Sequence, residues 1–127
     1  VIADQFAFLE KSLEIARQHG VGDDQIVLDA GFGFAKETAE ENLDLMARFG
    51  ELNALGFPLM AGTSRKRFIG TVTGRDPADR AAGTAATSVI LRLKGAHLFR
   101  VHDVAINVDA LAVADAMLAR QPDPAER

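Results

Sequence analysis

Cysteine is absent from the 127 residues, which excludes disulfide frameworks, thiolate metal sites and Cys nucleophiles together. A surplus of positive charge is also missing. Fourteen Lys plus Arg stand against 18 Asp plus Glu, a formal net charge of −4. That balance disfavours broad electrostatic binding to nucleic acid or anionic lipid, and leaves room only for a local basic site. No apolar run approaches the ~18 residues that cross a bilayer, and no signal-peptide pattern opens the chain. The expectation is a soluble, cytoplasmic protein with neither membrane nor nucleic-acid partners. An initiating Met is lacking too: Val1 opens directly into a helical pattern, which reads as a piece of something larger.

What is present is an ordinary globular mixture, 48% apolar and 25% charged, long enough for one domain. Three short apolar runs flanked by glycine read as buried parallel strands: 25–29, 57–62 and 96–102. Longer stretches with helical spacing lie between and around them. Phe6, Leu9, Leu13 and Ala16 step by three or four and stop at Gly20. Leu43, Met46, Phe49, Leu52 and Leu55 do the same, opened by a Thr38/Glu41 capping-box pattern and halted by Gly56 and Pro58. Ala82, Ala86, Val89, Ile90 and Leu93 form a third stripe ending at Gly95, and Val108, Leu111, Ala112, Asp115 and Leu118 a fourth. The domain is expected over 1–120, and the proline-containing stretch 121–127 as a disordered tail.

A helix followed by three strand–helix pairs implies an α/β protein with right-handed parallel crossovers. Three strands cannot close a barrel. The chain is therefore either a small open sheet or part of a larger barrel. If the latter, the barrel-facing side of the sheet is expected to carry Ile26, Leu28, Leu59 or Met60 uncovered.

In such folds the ligand site lies beyond the carboxyl ends of the strands. Here all three ends carry charge or hydrogen-bonding groups. The first ends in Asp29-Ala30-Gly31-Phe32-Gly33-Phe34-Ala35-Lys36, the second in Gly62-Thr63-Ser64-Arg65-Lys66, the third in Arg100-Val101-His102-Asp103. The glycine loop lacks the Gly-Lys-Ser/Thr ending of a nucleotide-binding loop. Phe32 or Phe34 either walls an aromatic ligand or packs in the core. Ser64-Arg65-Lys66 reads as a helix start suited to an anion. Arg100 and His102, two apart on a strand, face the same way and suit a phosphate or pyrophosphate, with Asp103 pointing oppositely. His19, beside Gly20, and His97, at the start of a strand, read as structural or merely exposed. None of the three histidines falls at metal-ligand spacing with another.

These three clusters, in order and at matching spacing, closely resemble three signatures of dihydropteroate synthase, an enzyme of folate biosynthesis. Gly83-Thr84-Ala85-Ala86 and Asn107-Val108-Asp109-Ala110-Leu111 also look like that family, so the likeness runs to about Ala119. The resemblance implies the C-terminal part of a (β/α)8 TIM barrel, three parallel strands alternating with helices. It also implies a sulfonamide target that joins p-aminobenzoate to 6-hydroxymethyl-7,8-dihydropterin pyrophosphate and releases pyrophosphate. Carried onto this sequence, Asp29 would bind the pterin edge. Lys66 would contact the pterin carbonyl and ring nitrogen near the p-aminobenzoate position. Arg100 and His102 would hold the pyrophosphate, Arg100 also stacking on the pterin. Ser64 would meet the p-aminobenzoate carboxylate, Phe34 and Arg65 would flank that pocket, and Gly62 would let the ring approach. Lys66, Arg100 and His102 are the implied catalytic groups. The implied Mg²⁺ takes its protein ligand, an Asn, from outside this chain. Ala30 and Ala35 replace the family's usual Pro and Gly. Two alternatives stay open: a pterin-binding methyltransferase on a similar barrel, or a non-catalytic partial barrel. The chain alone is expected to be inactive, and to dimerise or to associate with the missing barrel half.

Overall fold

The computed structural model describes residues 2–34 and 38–122. Ala35 and Lys36 of the first motif, and 123–127 of the expected tail, lie outside the described residues. Three strands, β1 (Leu28–Asp29), β2 (Leu59–Ala61) and β3 (Ala96–Phe99), pair in parallel in the order β1-β2-β3. They are interleaved with α1 (Ile2–Gln18), α2 (Ala39–Ala47), α3 (Arg67–Thr73), α4 (Ala81–Leu93) and α5 (Val104–Leu118). An unreversed strand order with right-handed crossovers puts every connecting helix on one side of the sheet. Burial agrees. Leu28, Leu59 and Ala96 lie in register and are buried beneath the helices.

The opposite side corrects one expectation. Leu28 and Leu59 belong to the helix-covered face, and Ile26 is half-buried. The open face carries Val27, 46% exposed, Leu98, 43% exposed, the half-buried Met60, and Asp29. Strand alternation makes this inevitable once Leu28 faces inward. The strands are also shorter than the apolar runs. Gln25 closes a 3₁₀ turn, and Pro58 has no N–H for a ladder, although its carbonyl accepts the Leu28 N–H at 2.9 Å. β3 stops at Phe99, with one further rung from Arg100 N–H to the Ala61 carbonyl at 3.0 Å.

Helix ends follow local chemistry. Gly20 takes φ 81°, the Val21 N–H reaches the Ala16 carbonyl and the Gly20 N–H reaches that of Arg17, a Schellman closure of α1. Thr38 Oγ1 accepts the Glu41 N–H at 3.1 Å, so the Thr38 half of the expected capping box is in place. The stripe from Leu43 to Leu55 is split. α2 ends at Ala47, a 3₁₀ segment runs from Phe49 to Leu55, and Gly56 ends it at φ 81°. Leu45, Phe49 and Leu52 are fully buried, and Phe32 stacks between Phe49 and Phe68 at 6.1 and 6.0 Å. Phe32 is thus a core residue.

The last two helices turn inward only part of the predicted stripes, Leu111 and Leu118 on α5. Ala82, Ala86, Ile90 and Leu93 are exposed and Val89 is half-buried, whereas Thr84, Thr87, Ser88 and Leu91 form the inner face of α4. On α5 the inner line is Asn107, Leu111, Ala114 and Leu118, with Val108, Ala112 and Asp115 outside. Apolar periodicity fails here because the inner hydroxyls and amide are small and fully satisfied. Ser88 donates to Asn107 Oδ1 at 2.7 Å, and Asn107 Nδ2 donates to the Asp103 carbonyl at 2.8 Å. Arg92 pairs with Asp115 at 2.7 Å and helps fix the two helices side by side.

Gly83 lies where α4 crosses α3. A Cβ there would fall 2.5 Å from Ile69 Cγ2 and 3.4 Å from Thr73 Cγ2. Helix propensity favours Ala over Gly by about 1 kcal/mol, but overpacking against the buried Ile69 costs about 1–3 kcal/mol. Gly83→Ala is therefore expected to be neutral to destabilising in urea unfolding of the full-length protein, and clear stabilisation would show that α3 yields freely.

Candidate functional site

Parallel pairing brings the three strand ends to one rim. Asp29, the last residue of β1, lies in register with Met60, and Ala61 with Phe99. Asp29 Oδ1 accepts the Gly31 N–H at 2.8 Å, a local turn that holds the carboxylate over the start of the loop. Gly31 and Gly33 both adopt positive φ, 71° and 83°, so the chain can double back and bury Phe32 while Phe34 projects outward, 72% exposed. Asn42 on α2 pins this loop. Its Oδ1 accepts the Gly33 N–H at 2.8 Å and its Nδ2 donates to the Thr38 carbonyl at 2.9 Å.

The loop after β2 is the centre of the rim. A turn closes from the Lys66 N–H to the Thr63 carbonyl at 3.1 Å, and Arg65 within it has φ 58°. A left-handed conformation in a non-glycine residue costs about 1–2 kcal/mol, and its surroundings hold it there. The Arg65 N–H donates to Thr84 Oγ1 at 3.0 Å, and the Arg65 carbonyl accepts from Arg80 Nη1 at 2.9 Å. Buried Thr63 is anchored to Thr87 at 2.7 Å. Thr87 gives its one proton to the Thr84 carbonyl, so Thr63 is the donor in that pair.

From this turn three successive side chains reach the other two strand ends. Lys66 passes back to the loop after β1, where its ammonium bonds the Phe32 carbonyl and lies 5.1 Å from the Phe34 ring centroid. A Cβ at Gly33 would sit 3.4 Å from Lys66 Cδ, and one at Gly62 3.9 Å from Lys66 Nζ. The lysine therefore runs between the two glycines. Ser64 and Arg65 reach the third strand end: Ser64 Oγ lies 2.8 Å from His102 Nδ1, and Arg65 Nη2 lies 3.2 Å from Asp103 Oδ1.

Asp29, Phe34, Gly62, Ser64, Arg65, Lys66, Arg100 and His102 thus occupy one rim, as expected, but the third end is built differently. β3 has ended before Arg100, so strand alternation does not orient Arg100 and His102. His102 is oriented by Ser64, while the exposed Arg100 side chain makes no ion pair among the described residues. Asp103, read only as pointing away, is the partner of Arg65. α3 spans seven residues, and Lys66 caps it. His19 Nδ1 lies 2.8 Å from the Ile15 carbonyl at the end of α1, and His97 is exposed on β3. Both are away from the rim. The sequence reading missed Asn42, Thr84 and Thr87. A polar residue at position 42, on the line that continues to Leu45 and Phe49, was the available signal.

Comparison with known proteins agrees with this geometry. Residues 1–102 match the family described as pterin binding enzyme. The dihydropteroate synthase of Synechocystis sp. is 44% identical over 118 residues, covering 92% of this chain and 40% of that protein. The structure of Xanthomonas albilineans dihydropteroate synthase in complex with 7,8-dihydropteroate superposes with a TM-score of 0.90 at 40% identity, over 94% of this chain and 47% of that one. The same enzyme with 4-aminobenzoic acid gives 0.90 at 42% identity, over 94% and 44%. The chain belongs to the pterin-binding enzyme family. Its three strand–helix units are part of the TIM barrel of those relatives, and it spans about two-fifths of the length of the Synechocystis one. No helix among the described residues is long and apolar enough to cross a membrane.

Asn42→Ala removes the side-chain acceptor of the Gly33 N–H and one of the two donors to the Thr38 carbonyl. In the full-length protein it is expected to cost about 1–3 kcal/mol in urea unfolding. Unchanged stability would show that the loop does not depend on α2.

Proposed function

We propose that this rim serves a dihydropteroate synthase, which condenses p-aminobenzoate with 6-hydroxymethyl-7,8-dihydropterin pyrophosphate to give 7,8-dihydropteroate and pyrophosphate. The observation that carries the reading is the seat of Lys66, threaded between Gly33 and Gly62 from the second strand end to the loop that follows Asp29. It sets a carboxylate and an ammonium at neighbouring strand ends, with Arg100 and His102 beyond the third. A flat heterocycle with a guanidine-like edge suits that pair. The Asp29 carboxylate accepts from two parallel N–H donors, and Lys66 donates to the ring carbonyl and nitrogen. Phe34 and Arg65 flank the aromatic amine.

In the reaction the amine nitrogen forms a bond to the methylene carbon as its C–O bond breaks. The electron pair leaves with pyrophosphate, and the nitrogen then sheds a proton. A weak nucleophile and an anionic leaving group call for charge stabilisation more than for a base. Cations and N–H donors placed where that charge develops are worth several kcal/mol in general; Arg100 supplies a cation and His102 a ring N–H donor. The relatives crystallised with 7,8-dihydropteroate and with 4-aminobenzoic acid support the substrate pair. Ser64-Arg65-Lys66 and Arg100-Val101-His102 favour a pyrophosphate-releasing synthase over a pterin-binding methyltransferase.

The Mg²⁺ that the resemblance implies would take its protein ligand, an Asn, from outside this chain. The ion prefers several oxygen ligands in octahedral array, and among the described residues no three His, Asp or Glu side chains cluster. No step is assigned to it here.

The reading also assigns a need for more protein around this chain. Among the described residues the sheet has two outer edges, one face carries Val27, Met60 and Leu98, and the outside of α4 and α5 is apolar, with Val113 73% exposed. Open edges and apolar patches drive association. The occupants proposed are a second copy or the rest of the barrel. These 127 residues prepared alone are expected to lack turnover and to associate. Light scattering from a stable 13.6 kDa monomer would refute that.

In the full-length enzyme, Asp29→Asn turns one acceptor into a donor and is expected to weaken pterin binding by about 1–3 kcal/mol. Unchanged affinity in calorimetry would remove Asp29 from the site. Arg100→Ala is expected to lower turnover strongly and to abolish the tightening of pterin binding by added pyrophosphate. Equal pyrophosphate dependence in variant and parent would overturn its role.

A further inference from the structure

Both hydrogen bonds of the Ser64 hydroxyl go to a single residue. Its Oγ accepts the His102 backbone N–H at 3.0 Å and lies 2.8 Å from Nδ1 of the same side chain. Ser64 is buried, whereas His102 is exposed at the rim beside Arg100. A hydroxyl has one proton and two lone pairs, and a neutral imidazole carries its proton on one nitrogen only. With that proton on Nδ1, Ser64 would accept twice, and its own proton would be left without an acceptor among the described residues. With the proton on Nε2, Ser64 accepts the backbone N–H and donates to Nδ1. Every group is then satisfied, and the ring's outer nitrogen is left bearing a proton.

We infer that Ser64 is a positioning residue that holds neutral His102 as the Nε2–H tautomer, so that the ring presents a donor outward from the rim. The same two contacts fix the ring plane, because one hydroxyl bonds both the backbone and the side chain of a single residue. The buried second partner of a histidine commonly decides its tautomer in this way.

The tautomer follows from the geometry alone. Its use, donation from Nε2 to an anionic leaving group, rests on the function proposed above. The full-length protein labelled with ¹⁵N in its imidazole rings separates the two. Long-range ¹H–¹⁵N correlation at alkaline pH is expected to show a protonated Nε2 and a bare, hydrogen-bonded Nδ1 for His102. The signal is assigned by its loss in His102→Gln. A protonated Nδ1 in the parent protein overturns the inference with no variant needed. Ser64→Ala is expected to mix the two tautomers, and Ser64→Thr to restore the parent pattern. Unchanged His19 and His97 signals report that the fold is intact, and an unmixed pattern in folded Ser64→Ala overturns the inference. Inorganic pyrophosphate then tests the use. A shift of Nε2 alone supports donation to the anion, whereas no shift with the tautomer as stated upholds the positioning role and overturns the leaving-group assignment.

Discussion

The turn from Thr63 to Lys66, with Arg65 at φ 58°, is the constraint on which the rest of the rim depends. Three consecutive residues leave it and tie it to two other pieces of chain. Ser64 reaches His102, Arg65 reaches Asp103, and Lys66 reaches the Phe32 carbonyl. An extended or helical backbone would not disperse them so. In a strand Ser64 and Lys66 would share a face, and in a helix all three would spread around one axis. The left-handed residue makes the dispersal possible. Its cost is offset by bonds to both of its own peptide groups, from Thr84 and from Arg80.

Those supports explain why α4 turns a polar face inward. Thr84, Thr87 and Ser88 do not form a hydrophobic stripe, yet all three are buried, Thr84 and Ser88 completely. Each hydroxyl has a partner, so burial costs little, and their small size lets the loop after β2 and α5 approach closely. Several larger apolar residues of α4 and α5, among them Ile90, Leu93, Val108 and Val113, lie outside. A helix apolar on much of its outer surface is ordinarily covered by further protein. That agrees with a chain spanning two-fifths of a related barrel.

The loop after β1 is held by the opposite strategy. Phe32 enters a stack with Phe49 and Phe68, an apolar anchor, while Asn42 fastens Gly33 on one side and Thr38 on the other. The two glycines with positive φ allow one phenylalanine to turn in and the next to turn out. Phe32 therefore packs in the core, and Phe34 stands at the rim beside the Lys66 ammonium.

Much of this was legible in the sequence alone. Alternating apolar runs and helical stripes determined a parallel α/β arrangement, because a strand-helix-strand path has one favoured hand. Charge at three successive carboxyl ends located the rim, and the glycines marked the sharp turns. Other features were decided only by tertiary structure. Which face of β1 was covered depended on a register of one residue, beyond what an apolar run five residues long can specify. The inner faces of α4 and α5 were hidden because hydropathy does not credit a hydroxyl whose partner lies 19 or 24 residues away. The orientation of His102 came from Ser64, 38 positions earlier, since β3 had already ended. Local patterns reveal what backbone periodicity imposes, whereas the partner of a polar side chain exists only once the chain has folded.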